Sequence, residues 1–414
     1  VCTGAPADRR RPARIVTGMA DHVIVAGAGI VGLAAAYAIG RRGHRVTVLE
    51  KEDRVAAHQS GHNSGVIHSG LYYPPGGLKA TLGTAGARSM REFARAYGIA
   101  VDICGKLVVA TSAEQVPALR RLLARGLANG VPVRMVSPAE AHEHEPHVAC
   151  VAALHVASTG IVDYPAVCAT LARLVTDGGG EIRFGATVTG VRAGARAVTV
   201  ATPAGEVRGD HLVNCAGLHS DRVARLAGLN PGVRIVPFRG EYHELAHDQR
   251  HLVRGLIYPV PDPALPFLGV HLSRTVGGGV HAGPNAVLAL AREGYHWGRV
   301  DRRDLADSLR WPGLWRLGRR HWRTGAAEVL RSLSRRRFLA DLRRLVPELG
   351  DHSLAPAPAG VRAQAVRRDG TLVDDFLTVR AHRQVHVLNA PSPAATAALE
   401  IGRRIAAELD EDRA

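Results

Sequence analysis

Two histidines, an asparagine, two serines, two tyrosines and five glycines share the seventeen residues GHNSGVIHSGLYYPPGG, from Gly61 to Gly77. Neutral imidazole can take up a proton near neutral pH, and small hydroxyl and amide groups donate to anionic oxygens. A surface loop has no use for the Val66-Ile67 pair, and a core strand has no use for the polar groups. A backbone that must lie flat against a large planar ligand needs both.

The elements that position this stretch come just before it, in DHVIVAGAGIVGLAAAYAIGRRGHRVTVLEKE. The β-branched run from His22 to Ala26 predicts a strand, and Gly27, Gly29 and Gly32 supply G-x-G-x-x-G. An Ala-rich helix follows to about Arg42, and HRVTVLE predicts a second strand ending in Glu50. Gly27 permits the turn, Gly29 lets backbone approach a pyrophosphate, and Gly32 lets helix and strand pack closely. The helix N-terminus at Ile30 then stabilises phosphate charge. Glu50 lies 18 residues after Gly32, where a carboxylate takes the ribose hydroxyls of an adenosine. An acid rather than an arginine there argues against a 2′-phosphate.

At 414 residues the chain is long enough for two intertwined domains and a sizeable core. No apolar run reaches the roughly 20 residues that span a bilayer. The five cysteines have no CxxC spacing, which points to a reducing compartment and no structural metal. Residues 1–19 carry arginines with no apolar stretch behind them, so they are expected to form a disordered tail rather than a secretory signal. A cytoplasmic protein is the expectation.

Two later stretches resume the nucleotide-binding pattern. GGGEIRFGATVTGVRAGARAVTVATPAGEVRGDHLVNCAGLHSDRVARLAG reads as strands split by glycine turns, ending in strand, glycine and helix at His211–Gly217. QVHVLNAPSPAATAALEIGRRIAAEL predicts a last strand and a helix that starts between Ser392 and Ala395. Three separated pieces of one fold with other material inserted are the organisation of a discontinuous flavin-binding domain.

The chain resembles the FAD-dependent D-amino-acid-oxidase and glycine-oxidase superfamily, and within it the L-2-hydroxyglutarate oxidase/dehydrogenase family. The resemblance is carried by GHNSGVIHSGLYYPPGGLKA, GIVDY, PFRGEYHEL, LIYPVPDPALPFLGVHLSR, GPNAVLALAREGY, PAGVRAQAV, DGTLVDDF and NAPSPAATAALEIG, which reach from Asp21 to Arg404. It implies FAD as cofactor, oxidation of L-2-hydroxyglutarate to 2-oxoglutarate, and electrons passed on to oxygen or quinone. The fold it implies is mixed α/β: a discontinuous Rossmann-like FAD domain over 20–80, 160–228 and 355–410, and a substrate domain on a mixed sheet over 81–159 and 229–354.

In that superfamily the segment after the ribose-binding acid runs past the pyrophosphate and under the isoalloxazine ring. The resemblance therefore assigns Ser60, Gly61, Asn63 and Ser64 to phosphate and ribityl oxygens and Gly65-Val66-Ile67 to a thin apolar edge against the ring, with Lys51 a further cofactor contact. Val188, Cys215, Ala216, Gly217 and Gly360 complete the implied cofactor contacts. Pro393, Ala394, Ala395 and Thr396 open the final helix, whose N-terminus is expected to face the flavin C2 carbonyl. His62 has two readings, a hydrogen bond to backbone or cofactor and a covalent flavin link.

Oxidation of a 2-hydroxy acid needs hydride transfer from C2 to flavin N5 and a base for the hydroxyl proton. His271 is favoured as the base, with His68 as helper; His68 alternatively supports the structure. Arg362 in PAGVRAQAV occupies the superfamily's Gly-x-Arg position, where a guanidinium fork grips the substrate carboxylate. A dicarboxylic substrate needs a second cation, for which Lys79, Arg239 and Arg274 are candidates with Arg239 preferred; Tyr258 is a hydroxyl donor.

The segment 292–344 stands apart, with 15 arginines against 6 acids and all four tryptophans. A helix lying on an anionic membrane surface fits that composition and would suit quinone reduction, as peripheral contact on the inner face of the cell membrane. An ordinary helical cap with inward tryptophans fits it equally. Nucleic acid is not expected as a partner, because the other motifs are catalytic. Two further functions stay open: a superfamily enzyme for another 2-hydroxy acid or an amino acid, and, remotely, a basic nucleotide-dependent RNA-binding protein.

Overall fold

The computed structural model describes residues 20–261 and 269–411. The expected tail at 1–19 and most of the run PFLGVH before His271 lie outside the described residues.

A six-stranded sheet is assembled from three separated pieces of chain. Its order is Leu377–Ala381, Gln384–Asn389, His211–Asn214, His22–Ala26, Arg45–Leu49 and Glu181–Arg183. The Leu377–Ala381 edge is antiparallel to its neighbour, while the other pairings are parallel. Central strands covered on both faces are apolar without alternation, as HVIVA and RVTVL are, and Ile24, Val25 and Val48 have no exposure at all. Helices Ile30–Gly40, Leu78–Ala96, Tyr164–Asp177 and Ala394–Glu411 share the core on one face. A three-stranded antiparallel layer at 190–209 packs on the other.

The second sheet has nine strands and is mixed. Its backbone is the long antiparallel pair Val233–Leu245 and Leu354–Arg367. The strand at 354–367, grouped from sequence with the nucleotide-binding pieces, thus belongs to the other sheet, because its ladder with 233–245 outweighs its proximity in sequence to the last strand. Helix Leu78–Ala96 likewise crosses the expected boundary at 80/81: Met90, Phe93 and Ala94 bury their side chains against the first sheet's helices. The cavity lies between the two sheets.

Helices Arg302–Leu309, Pro312–Leu333 and Arg335–Arg343 pack outside the second sheet. Trp311 packs inward, donating to the Val366 carbonyl at 3.0 Å, while Trp297 is 40% exposed and donates to Ser332 Oγ at 3.2 Å. Trp315 and Trp322 are 60% and 63% exposed. No helix among the described residues is long and apolar enough to cross a membrane.

Candidate active site

A cavity of about 800 Å³ runs from the glycine turn to the second sheet. At its nucleotide end the chain turns at Gly27, whose φ of +104° is a region that side chains disfavour. A Cβ there would stand 2.6 Å from the Cys215 carbonyl oxygen, and one on Gly32 would stand 2.0 Å from the Gly27 carbonyl oxygen. Gly32 therefore acts behind the wall, by letting helix and strand close up. Glu50 is buried at the strand end, accepting from Ala28 N–H at 2.7 Å and Glu52 N–H at 3.0 Å, so its carboxylate is oriented by the turn it faces.

The stretch after Glu50 follows the same wall. Ser60 Oγ accepts the Ile30 N–H at 2.9 Å, tying the loop to the helix N-terminus. Asn63 shapes the loop, donating to the Ser60 carbonyl at 2.7 Å and accepting from Gly65 N–H at 2.8 Å. Gly61 and Gly65 are turn positions off the wall, while Ser60, His62, Asn63, Ser64 and Val66 line it. Ile67 turns into the core behind Val66, as strand alternation requires. His62 stacks on Tyr295 with ring centroids 4.4 Å apart. Lys51 also lines the cavity, but its ammonium pairs with Glu293 at 2.7 Å and with Glu52. That ammonium contacts Glu52, Glu293 and His58 Nε2, three groups close enough to suggest a metal site, and so occupies the space between them.

Val188, Cys215, Ala216, Gly217 and Gly360 line the cavity, as do Pro393, Ala394, Ala395 and Thr396 at the start of the last helix. The Thr396 hydroxyl accepts the His68 N–H at 3.1 Å and meets Tyr164 Oη at 3.0 Å. It holds the histidine-bearing strand against the final helix.

His68, Tyr258, His271 and Arg362 converge at the far end. The His271 ring stacks on Tyr258 at 3.9 Å. Its Nδ1 lies 2.9 Å from the Gly269 carbonyl, which can only accept, so Nδ1 carries the proton and Nε2 keeps its lone pair. Burial, with lesser contributions from the charges of Arg362 and Lys106, pushes His271 down to about 3. Burial does the same to His68, whose Nδ1 has no hydrogen-bond partner among the described residues. Arg362 is half-buried in the wall, and desolvation lowers its pKa.

The candidates for a second cation fare differently. Arg239 is 1% exposed but does not reach the cavity: it pairs with Glu241 at 2.9 Å under the Trp297 ring. Arg362 stands opposite Phe238 in the ladder, so alternation turns the adjacent Arg239 to the other face. Arg274 is turned away from His271 by the same rule and pairs with Asp102 at 3.1 Å. Lys79 lines the cavity, paired with Asp374 at 3.1 Å. The group that sequence reasoning missed is Lys106, buried beside Tyr72 and Tyr258. Its one sequence signal was a charge opening the otherwise apolar strand KLVVA.

A glycine cradle too tight for side chains, an acid at the strand end, and a buried histidine nitrogen without a partner fit FAD. The fold and the site define a flavin-dependent oxidoreductase. The chain matches the model of the DAO family, FAD dependent oxidoreductase, over residues 22–408. It is 47% identical over 385 residues to L-2-hydroxyglutarate dehydrogenase of Indibacter alkaliphilus, covering 92% of this chain and 96% of that protein. The enzyme of the same name from Escherichia coli K12 is 44% identical over 94% of this chain and 93% of its own length. The chain belongs to the L-2-hydroxyglutarate dehydrogenase family within the FAD-dependent oxidoreductases. Among solved structures, L-α-glycerophosphate oxidase of Mycoplasma pneumoniae with FAD bound shares the fold, with a TM-score of 0.76 at 22% identity over 95% of each chain.

Proposed function

We propose that the protein oxidises L-2-hydroxyglutarate to 2-oxoglutarate. The observation that carries the reading is the convergence of a neutral imidazole and a half-buried arginine at one end of a cavity whose other end is a dinucleotide cradle. FAD, when bound, supplies the two-electron acceptor for the hydride from C2. Arg362 pairs the C1 carboxylate through its planar fork and sets the C2 hydrogen in one direction. His271 Nε2 takes the hydroxyl proton, and the Gly269 carbonyl keeps the ring in the tautomer that can do so. Tyr258 stacks on that ring and limits its rotation. His68, held by Thr396, lines the same end, and the apolar walls exclude water. Ser60, Asn63, Ser64 and the cradle around Gly27 and Gly29 hold the phosphates, with Glu50 on the ribose.

Anaerobic addition of L-2-hydroxyglutarate to the purified yellow protein should bleach its flavin absorbance. If an amino acid or another 2-hydroxy acid bleaches it and this substrate does not, the reading fails. A colourless preparation without flavin would favour the nucleotide-dependent RNA-binding alternative.

For the electron acceptor, quinone at an anionic membrane surface is supported by the exposed Trp315, Trp322 and Leu333 among the arginines of 302–344. Sedimentation with anionic but not zwitterionic vesicles, lost in the double variant Trp315→Ser/Trp322→Ser, is the expected result. Stoichiometric oxygen consumption without vesicle binding would replace quinone by oxygen.

A further inference from the structure

Lys106 opens strand Lys106–Ala110, which runs parallel to Leu256–Pro259 with Tyr258 opposite Val108. Alternation puts Lys106 on the sheet face that carries Tyr258 and His271 to the cavity. Its ammonium lies 4.4 Å from the Tyr72 ring centroid and 4.9 Å from that of Tyr258, and both rings line the cavity. The residue is 2% exposed. Lysine is almost never buried without a partner, and two aromatic faces offset only part of the cost of removing an ammonium from water. Among the described residues no carboxylate pairs with Lys106; burial alone pushes it down to about 7.

Three cations that line the cavity pair within the protein: Lys51 with Glu293, Lys79 with Asp374 and Arg222 with Asp304. Lys106 and His271 both flank the Tyr258 ring, the ammonium 4.9 Å and the imidazole centroid 3.9 Å from its centroid. A short diacid whose hydroxyl faces His271 would extend its far carboxylate toward Lys106.

We propose that Lys106 receives the second carboxylate of a five-carbon dicarboxylic substrate and is the residue that makes the site prefer a diacid to a 2-hydroxy monoacid. The inference rests on the L-2-hydroxyglutarate reading for its substrate, though the ligand chemistry can be tested without turnover.

The test uses the holoenzyme, wild type, Lys106→Met and Lys106→Arg. Methionine replaces the ammonium with an apolar chain of similar length. Lys106→Met should lose about 30- to 100-fold in kcat/KM for L-2-hydroxyglutarate, the worth of a hydrogen bond to a charged group. For L-2-hydroxypentanoate, which lacks the distal carboxylate, it should change less than about threefold. Lys106→Arg should recover part of the discrimination. Equal losses on both substrates would mean a structural lysine, and no loss on the diacid would mean that another group binds it; either result overturns the proposal. In parallel, flavin absorbance perturbation by glutarate and by pentanoate measures binding alone. Weaker glutarate binding in Lys106→Met with pentanoate unchanged supports the proposal, and a parallel change in both overturns it. That arm decides the role of Lys106 even if wild-type enzyme does not oxidise L-2-hydroxyglutarate, a result that would sink only the substrate reading.

Discussion

The two ends of the cavity are built in opposite ways. At the nucleotide end, Gly27, Ile30, Gly32 and Glu50 come from one βαβ unit, and their geometry follows from a turn that only glycine tolerates and a strand that ends in an acid. At the substrate end, His68, His271 and Arg362 come from three distant segments and line the cavity, and Lys106 of a fourth lies beside the lining rings of Tyr72 and Tyr258; two sheets and one interlocking hydroxyl, Thr396, bring them together. The first site is local and tolerates little change in backbone shape. The second is a tertiary assembly in which a residue's face on its strand decides whether it belongs at all.

The sharpest way to separate the ends is to break the local one. Gly27→Val places side-chain carbon against the Cys215 carbonyl and forces a φ of +104° on a β-branched residue. We expect protein without flavin, read as loss of visible absorbance, whatever substrate is added. Arg362→Ala should keep the flavin but lower kcat/KM by about 10³-fold, raising KM and lowering kcat together, because the fork both binds and orients. Unchanged KM and kcat would remove Arg362 from the site.

The pH profile sharpens the substrate end. His271 must be neutral, and burial holds its pKa at about 3; Lys106 must be charged, and its pKa is about 7. A base with a depressed pKa remains active as pH falls until that pKa is reached, and an ammonium is lost as pH rises through its own. kcat/KM, which reports free enzyme and free substrate, should therefore hold down to about pH 5, where the substrate's distal carboxyl (about 4.3, as in a glutamate side chain) begins to protonate, and fall above about pH 7. His68 is neutral over that range and the neighbouring Tyr72 and Tyr258 stay protonated, since burial pushes both phenols up. In Lys106→Met the alkaline limb should disappear.

Arg239 offers the contrast within one ladder. Arg239→Ala should leave KM within about twofold while costing about 1–3 kcal/mol of stability, because Glu241 loses its buried partner. Thermal denaturation beside steady-state kinetics reads both. Lys79→Met should change kcat/KM by less than about fivefold and stability by less than Arg239→Ala does, since Asp374 already pairs with that ammonium and the pair is open to solvent on one side.

The motif-bearing half of the molecule was readable from its residues. The strands at 22–26 and 45–49, the glycine turn, the acid at the strand end and the final helix beginning at Ala394 follow from patterns confined to thirty residues or fewer. The discontinuous flavin-binding sheet was also readable, since each of its pieces keeps the strand, glycine and helix order. Two assignments were not. The strand at 354–367 changes sheets because of its pairing with 233–245, a contact between residues more than a hundred apart. The second cation was sought among Lys79, Arg239 and Arg274, whose local strings gave no sign of Asp374, Glu241 and Asp102.

Local stereochemistry is why the residues alone settled the cofactor: a positive φ, a close helix approach and an acid at a strand end are requirements of neighbouring backbone, written within one short unit. Burial and counter-ions are properties of space. Whether a lysine or arginine keeps its charge for a ligand depends on which strand face it occupies and which carboxylate the fold brings beside it. Only the packed sheets decided that Arg239 is a structural pair and that Lys106 has no carboxylate partner among the described residues.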